Sequence, residues 1–323
     1  MNHNKQYIKQ RLSIMTLITL LVLCFSILVL SGCTPSGEKT TVTTADKMVV
    51  ATTFYPLYDL TQKIAGPDAE VYTLVPMNTE PHDFEPTPKE IARVHKASLY
   101  VALGASFAEF EEELIETLPS SVSVVIASKN VPLLIAEEED NFEQEEKEEE
   151  HGLYDPHIWL SPKNAQIMAK NIKDVLVQKD PIRAATYEKN ADDLLFNLAI
   201  LDEEFRQQLS ECRRDVILVN HNAFSYLAEE YGFRTVSVSG LEPEVEPSPG
   251  QIKALIDAAN EHGIRYLFAE ELVDSRVANT IAREVGAQVL VLSPVEGITD
   301  DDQDYFSLMR QNLNNLKRAL ECS

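Results

Sequence analysis

The sequence predicts an α/β protein of two lobes, each a mostly parallel sheet flanked by helices, joined by a long rigid helix. Three observations carry that prediction. Short β-rich runs alternate with helix-patterned segments, as in parallel sheets covered by helices on both faces. The alternation stops in mid-chain and later resumes. The stretch between, residues 162–214, reads almost wholly as helix.

The first element stands apart from the fold. Lys5, Lys9 and Arg11 precede an apolar run over 12–30, and Leu30-Ser31-Gly32-Cys33 closes it with small residues and a cysteine. That order reads as a secretory signal over 1–32. Its cysteine resembles the bacterial lipobox, in which Cys33 becomes the acylated first residue, so the globular part is expected outside the cytoplasm on a lipid anchor. Residues 33–47, rich in Ser, Thr and Lys, read as a flexible tether. The net charge is −24, and the basic leader leaves the remainder more negative still, which repels nucleic acid and attracts cations.

The N-terminal lobe is expected over 48–180. Strands are predicted at 48–54, 71–75, 99–103 and 122–126, with helices at 57–65, 88–97 and 107–117. An acidic loop over 137–151 interrupts it, holding ten acidic residues beside Lys147 and His151. Such a segment has almost nothing to bury. Next comes the linking helix over 181–212, after a break at Asp180-Pro181. Its polar surface suits a spine between lobes better than a core element. The C-terminal lobe, 213–323, repeats the alternation, with strands at 216–219, 235–238, 266–268 and 289–292 and helices starting near Ala223, Pro249, Ser275 and Tyr305. Cys24 leaves with the signal and Cys33 takes lipid, so Cys212 and Cys322 are the candidate disulfide pair in an oxidising compartment.

Three of the seven histidines share a setting. His82 sits in Glu80-Pro81-His82-Asp83-Phe84, His157 in Asp155-Pro156-His157-Ile158-Trp159-Leu160-Ser161-Pro162, and His221 at the end of the strand from Val216. Each occupies a loop leading into a helix, and such loops at strand carboxyl ends form the ligand crevice of open α/β sheets. His3 lies in the leader and His151 in the acidic loop, while His95 and His262 suit helix surfaces and ends. Three imidazoles and one carboxylate satisfy four-coordinate zinc. Glu296, after the last strand, and Glu270, after the strand ending at Phe268, are both in position to supply the carboxylate.

These motifs together resemble the zinc- and manganese-binding cluster of solute-binding proteins that serve bacterial ABC transporters. The resemblance runs from about Met48 to Leu320. It includes Asn220-His221-Asn222-Ala223-Phe224, Glu246-Pro247-Ser248-Pro249 and Tyr305-Phe306. It implies a monomeric extracytoplasmic carrier with metal held at the lobe interface by His82, His157 and His221, delivering its ion to a membrane permease. Manganese and iron carriers of the cluster tend to have a carboxylate at the third position, so His221 implies the zinc branch over the manganese or iron one. Pro294-Val295-Glu296 resembles the loop supplying the fourth ligand, which leaves Glu270 and Asp155 as outer partners of the histidines. Zinc relatives often carry a histidine-rich loop where this chain has carboxylates, so strong zinc binding by the acidic loop is not expected.

Two other classes compete. A zinc hydrolase needs an open coordination position and a general base, and no His-Glu-x-x-His is present. A lipoprotein adhesin with structural metal would lose its fold with the metal. A carrier gains stability from the ion but folds without it. Protons compete for imidazole, so affinity is expected to fall below about pH 6.

Overall fold

The computed structural model describes residues 47–136, 154–239, 241 and 248–323. The predicted signal, tether, Cys33 and acidic loop lie outside them, as does half of the 246–249 motif. Among the described residues no helix is long and apolar enough to cross a membrane.

Among the described residues eight strands form two four-stranded sheets, and every strand pairing within those sheets is parallel. The first has the order β2-β1-β3-β4, from β1 (Met48–Thr52), β2 (Ala69–Thr73), β3 (Leu99–Ala102) and β4 (Ser123–Ile126). The second has the order β6-β5-β7-β8, from β5 (Val216–His221), β6 (Arg234–Ser239), β7 (Tyr266–Ala269) and β8 (Gln288–Val291). The two orders are the same. In each, the chain starts on an inner strand, steps outward to one side and then crosses to the other. The crossing leaves a crevice at the carboxyl ends of β1 and β3, and of β5 and β7.

Helices α1 (Tyr55–Ala65), α2 (Pro88–Val94) and α3 (Glu109–Thr117) belong to the first sheet. Helices α6 (Ser225–Tyr231), α7 (Pro249–Glu261), α8 (Arg276–Val285) and α9 (Tyr305–Leu320) belong to the second. Predicted helix 88–97 stops at Val94, where His95 takes the C-cap. Predicted helix 107–117 starts only at Glu109, which frees Phe107 for the loop before it.

The helical stretch holds α4 (Pro162–Lys179) and, after the break at Asp180-Pro181, α5 (Ala184–Gln208), which is the predicted spine. It is also a core element, contrary to expectation. Tyr187, Ala191, Leu194, Leu198, Leu201 and Phe205 recur every three or four residues along α5 and are all buried. They join the largest apolar cluster, which runs from Val50 and Val101 of the first sheet to Ile217 and Val219 of the second. Polar ties fix α5 on both sides. Asn190 donates to the Ile64 carbonyl at the end of α1 (3.0 Å), and Arg310 of α9 pairs with Glu204 (2.8 Å). Cys212 and Cys322 are disulfide-bonded, tying the chain after α5 to the end of α9 across 110 residues.

Candidate metal centre

Each of the three loop histidines is placed by its own local device. Thr87 caps α2 in a reciprocal capping box with Glu90, which fixes the end of the loop carrying His82. Residues Ile158–Leu160 form a 3₁₀ turn, and Ser161 then caps α4 ahead of Pro162, so His157 sits at the turn's start. His221 is the last residue of β5. Leu218 of β5 lies beside Leu267 of β7, so three residues further on His221 meets Glu270.

The loop after β8 is built with more strain. Val295 adopts φ 58°, a left-handed conformation costly for a β-branched residue. Asn312 of α9 clamps Ser293 from both sides, accepting from its N–H (2.8 Å) and donating to its carbonyl (2.7 Å). Gly297 follows Glu296, and a β-carbon there would lie 2.3 Å from the Met77 carbonyl, which accepts from the Ile298 N–H (2.7 Å). Glycine is therefore required where the β8 loop presses on the β2 loop.

These loops bring His82, His157, His221 and Glu296 together, with one ligand atom from each inside 4.8 Å of all the others. His157 Nδ1 lies 2.8 Å from Asp155 and His221 Nδ1 lies 2.7 Å from Glu270. Both carboxylates accept a hydrogen bond from Nδ1–H, which turns Nε2 inward as the metal-facing nitrogen. The two Nε2 atoms are 3.3 Å apart, and Glu296 Oε1 is 3.4 Å from Nε2 of both His82 and His157. A tetrahedron with zinc–ligand bonds of roughly 2.0–2.1 Å has edges of roughly 3.3–3.4 Å. The spacing fits.

The electrostatics point the same way. Glu296 is buried, and neither of its oxygens has a hydrogen-bond partner. A buried carboxylate left so costs free energy unless a cation answers it. Burial opposes its ionisation, but the His157 and His82 imidazoles hold it far below the usual carboxylate range. Burial alone would lower His157; the Asp155 and Glu296 carboxylates outweigh it and push it up to about 10.

Sequence reading missed three features of the site. Glu80 accepts from the His82 N–H (2.8 Å), its other oxygen is buried without a partner, and burial beside the charges of Glu296 and Glu270 pushes its carboxyl up to about 9. Its position two residues before His82 was the available signal. Second, Phe54, Phe107 and Trp159 form an aromatic floor beneath His82 and His157, with Phe107 5.4 Å from His82 and Trp159 5.2 Å from His157. Third, the strain at Val295 has no mark in sequence. His262 lies at a helix C-cap, as expected; His95, expected on a helix face, is a C-cap as well, and His3 and His151 fall outside the described residues.

Residues 50–319 match the profile of the family described as ZnuA, zinc-uptake complex component A, periplasmic. The chain belongs to the ZnuA family. The ZnuA-family chain is 37% identical over 317 residues to the high-affinity zinc uptake system protein ZnuA of Bacillus subtilis, covering 93% of this chain and 97% of that protein. Its fold matches the zinc-bound ZnuA-like domain of Streptococcus pneumoniae AdcA, with TM-score 0.73, 33% identity, and 85% and 99% of the two chains covered. It spans 58% of the chain in the structure of zinc-bound AdcA from the same organism. It also matches the laminin-binding protein Lmb of Streptococcus agalactiae, described as bifunctional with adhesin and metal-transporting activity. There the TM-score is 0.75 with 32% identity, over 84% of this chain and 99% of that one. The resemblance drawn from motifs, the two-lobe fold and the zinc branch are thus borne out.

Proposed function

We propose that this chain captures zinc outside the cytoplasm and delivers it to the permease of an ABC transporter, holding the ion with Nε2 of His82, His157 and His221 and the Glu296 carboxylate. The observation that carries the ligand set is a group of four donors within 4.8 Å of one another, three of whose separations, at 3.3–3.4 Å, match the edge of a zinc tetrahedron. Three imidazoles and one carboxylate suit zinc, whereas manganese is better served by oxygen donors. Four protein donors leave no open position for an activated water, which argues for a carrier over a hydrolase.

The lobes of this carrier are residues 48–180 and 213–323, linked by 181–212, and it works as a monomer. Cys33 carries the lipid that holds it at the membrane. Capture draws the ion from solution at a −24 chain, and closure is limited by a spine packed into the core. The test is element analysis of protein purified without added metal, paired with zinc-against-manganese titration of the wild type and His221→Ala. Tight zinc binding lost in the variant is expected, and preferential manganese binding would sink the assignment. Unfolding of the protein on metal removal would favour the structural-metal adhesin instead.

A further inference from the structure

The turn after β3 is left-handed over three residues in succession. Gly104, Ala105 and Ser106 have φ of 73°, 59° and 54°, although only the first is glycine. Two left-handed non-glycine residues in a row persist only where surrounding structure holds them. One side chain does much of the holding. Glu111, 1% exposed on the first turn of α3, accepts from the N–H of Leu103 (2.8 Å) and of Gly104 (2.7 Å), and from the hydroxyl of Thr53 at the end of β1. The carboxylate therefore bridges the ends of β1 and β3, whose counterparts in the second sheet, β5 and β7, lead to His221 and Glu270. Immediately after the left-handed turn comes Phe107. Its ring stacks on Phe54 (4.4 Å), meets Trp159 edge-on (5.8 Å) and lies 5.4 Å from His82. Trp159 in turn touches the His157 ring and donates to the Pro294 carbonyl (2.7 Å), two residues before Glu296.

We propose that Glu111 is a positioning residue for zinc capture: it holds the left-handed 104–106 turn so that Phe107 sets the angle of the His82 ring. Glu111 reaches the ion only through this chain of contacts. The inference rests on the reading of His82 as a ligand, and the experiment separates the two.

Glu111→Gln keeps the shape but turns one acceptor into an amide donor, so one backbone N–H of the turn faces another N–H. Phe107→Leu keeps apolar volume and the Glu111 network but removes the ring from His82. Zinc affinity, cobalt(II) absorption in the visible range and the metal-free melting curve are measured for both variants, for the double variant and for His82→Ala. Each single variant is expected to weaken zinc roughly ten- to hundredfold, the range for residues that orient ligands, and to shift the cobalt spectrum. The double variant is expected to lose no more than the worse single one. Additive losses, or an unchanged cobalt spectrum in Phe107→Leu, would overturn the proposal. His82→Ala with undiminished zinc binding would instead overturn the ligand reading beneath it.

Discussion

Asp155 does two things at once: one oxygen takes both the His157 backbone N–H (2.9 Å) and its Nδ1 proton. Removing it frees the ring to rotate and to change tautomer. Asp155→Ala should weaken zinc roughly ten- to hundredfold, measured by competition with a chromophoric chelator, while leaving four donors nominally present. The pH behaviour is set at the same residue. His157 held protonated up to about pH 10 presents zinc at neutrality with an occupied nitrogen. Capture near pH 7 must therefore release a proton, and affinity climbs with pH well beyond the threshold near 6 that unperturbed imidazoles suggest. Calorimetric titration at pH 7 in buffers of different ionisation enthalpy should report about one proton per zinc; buffer-independent enthalpies would contradict it. In the metal-free fold the same raised value gives stability that is complete below the ordinary 6.5 and lost as pH rises through about 10.

Loops place three of the four donors, and the end of β5 places His221. Gly297→Ala would drive a methyl group into the Met77 carbonyl, forcing the β8 loop off the β2 loop and Glu296 away from His82. The expected result is at least roughly tenfold weaker zinc, since outer-partner losses already cost that much, with a metal-free melting temperature changed far less than the zinc-bound one. Sequence made the alternation of strands and helices legible because each run carries its own periodicity, and it singled out His82, His157 and His221 because each ends a strand or enters a capped helix. Glu296 needed the family pattern, since Glu270 occupies an equivalent position after a strand. What separates them is register, with His221 beside Glu270, and register between distant strands is not written locally. The burial of α5 was missed for a related reason. Its polar residues dominate by number while a narrow stripe from Tyr187 to Phe205 carries the packing.

At the scale of the molecule, the apolar core shared by the two sheets should make them melt together, and the Cys212–Cys322 bond ties the start of the second lobe to its end. A closed loop of 110 residues removes much of the unfolded chain's freedom. Reducing the bond should therefore cost about 2–5 kcal/mol in urea unfolding; no change in the midpoint would count against it. The depth of the donors has a kinetic consequence of its own. His157 and His221 are fully covered and Glu296 is 2% exposed, while His82 is half-buried, so a competing chelator can approach an ion among them only on the His82 side and waits on the loop that carries it. Escape is then timed by the protein. Raising the concentration of a strong chelator should speed zinc removal only up to a plateau, and the plateau rate is the rate at which the protein lets go, the step a membrane partner has to accelerate.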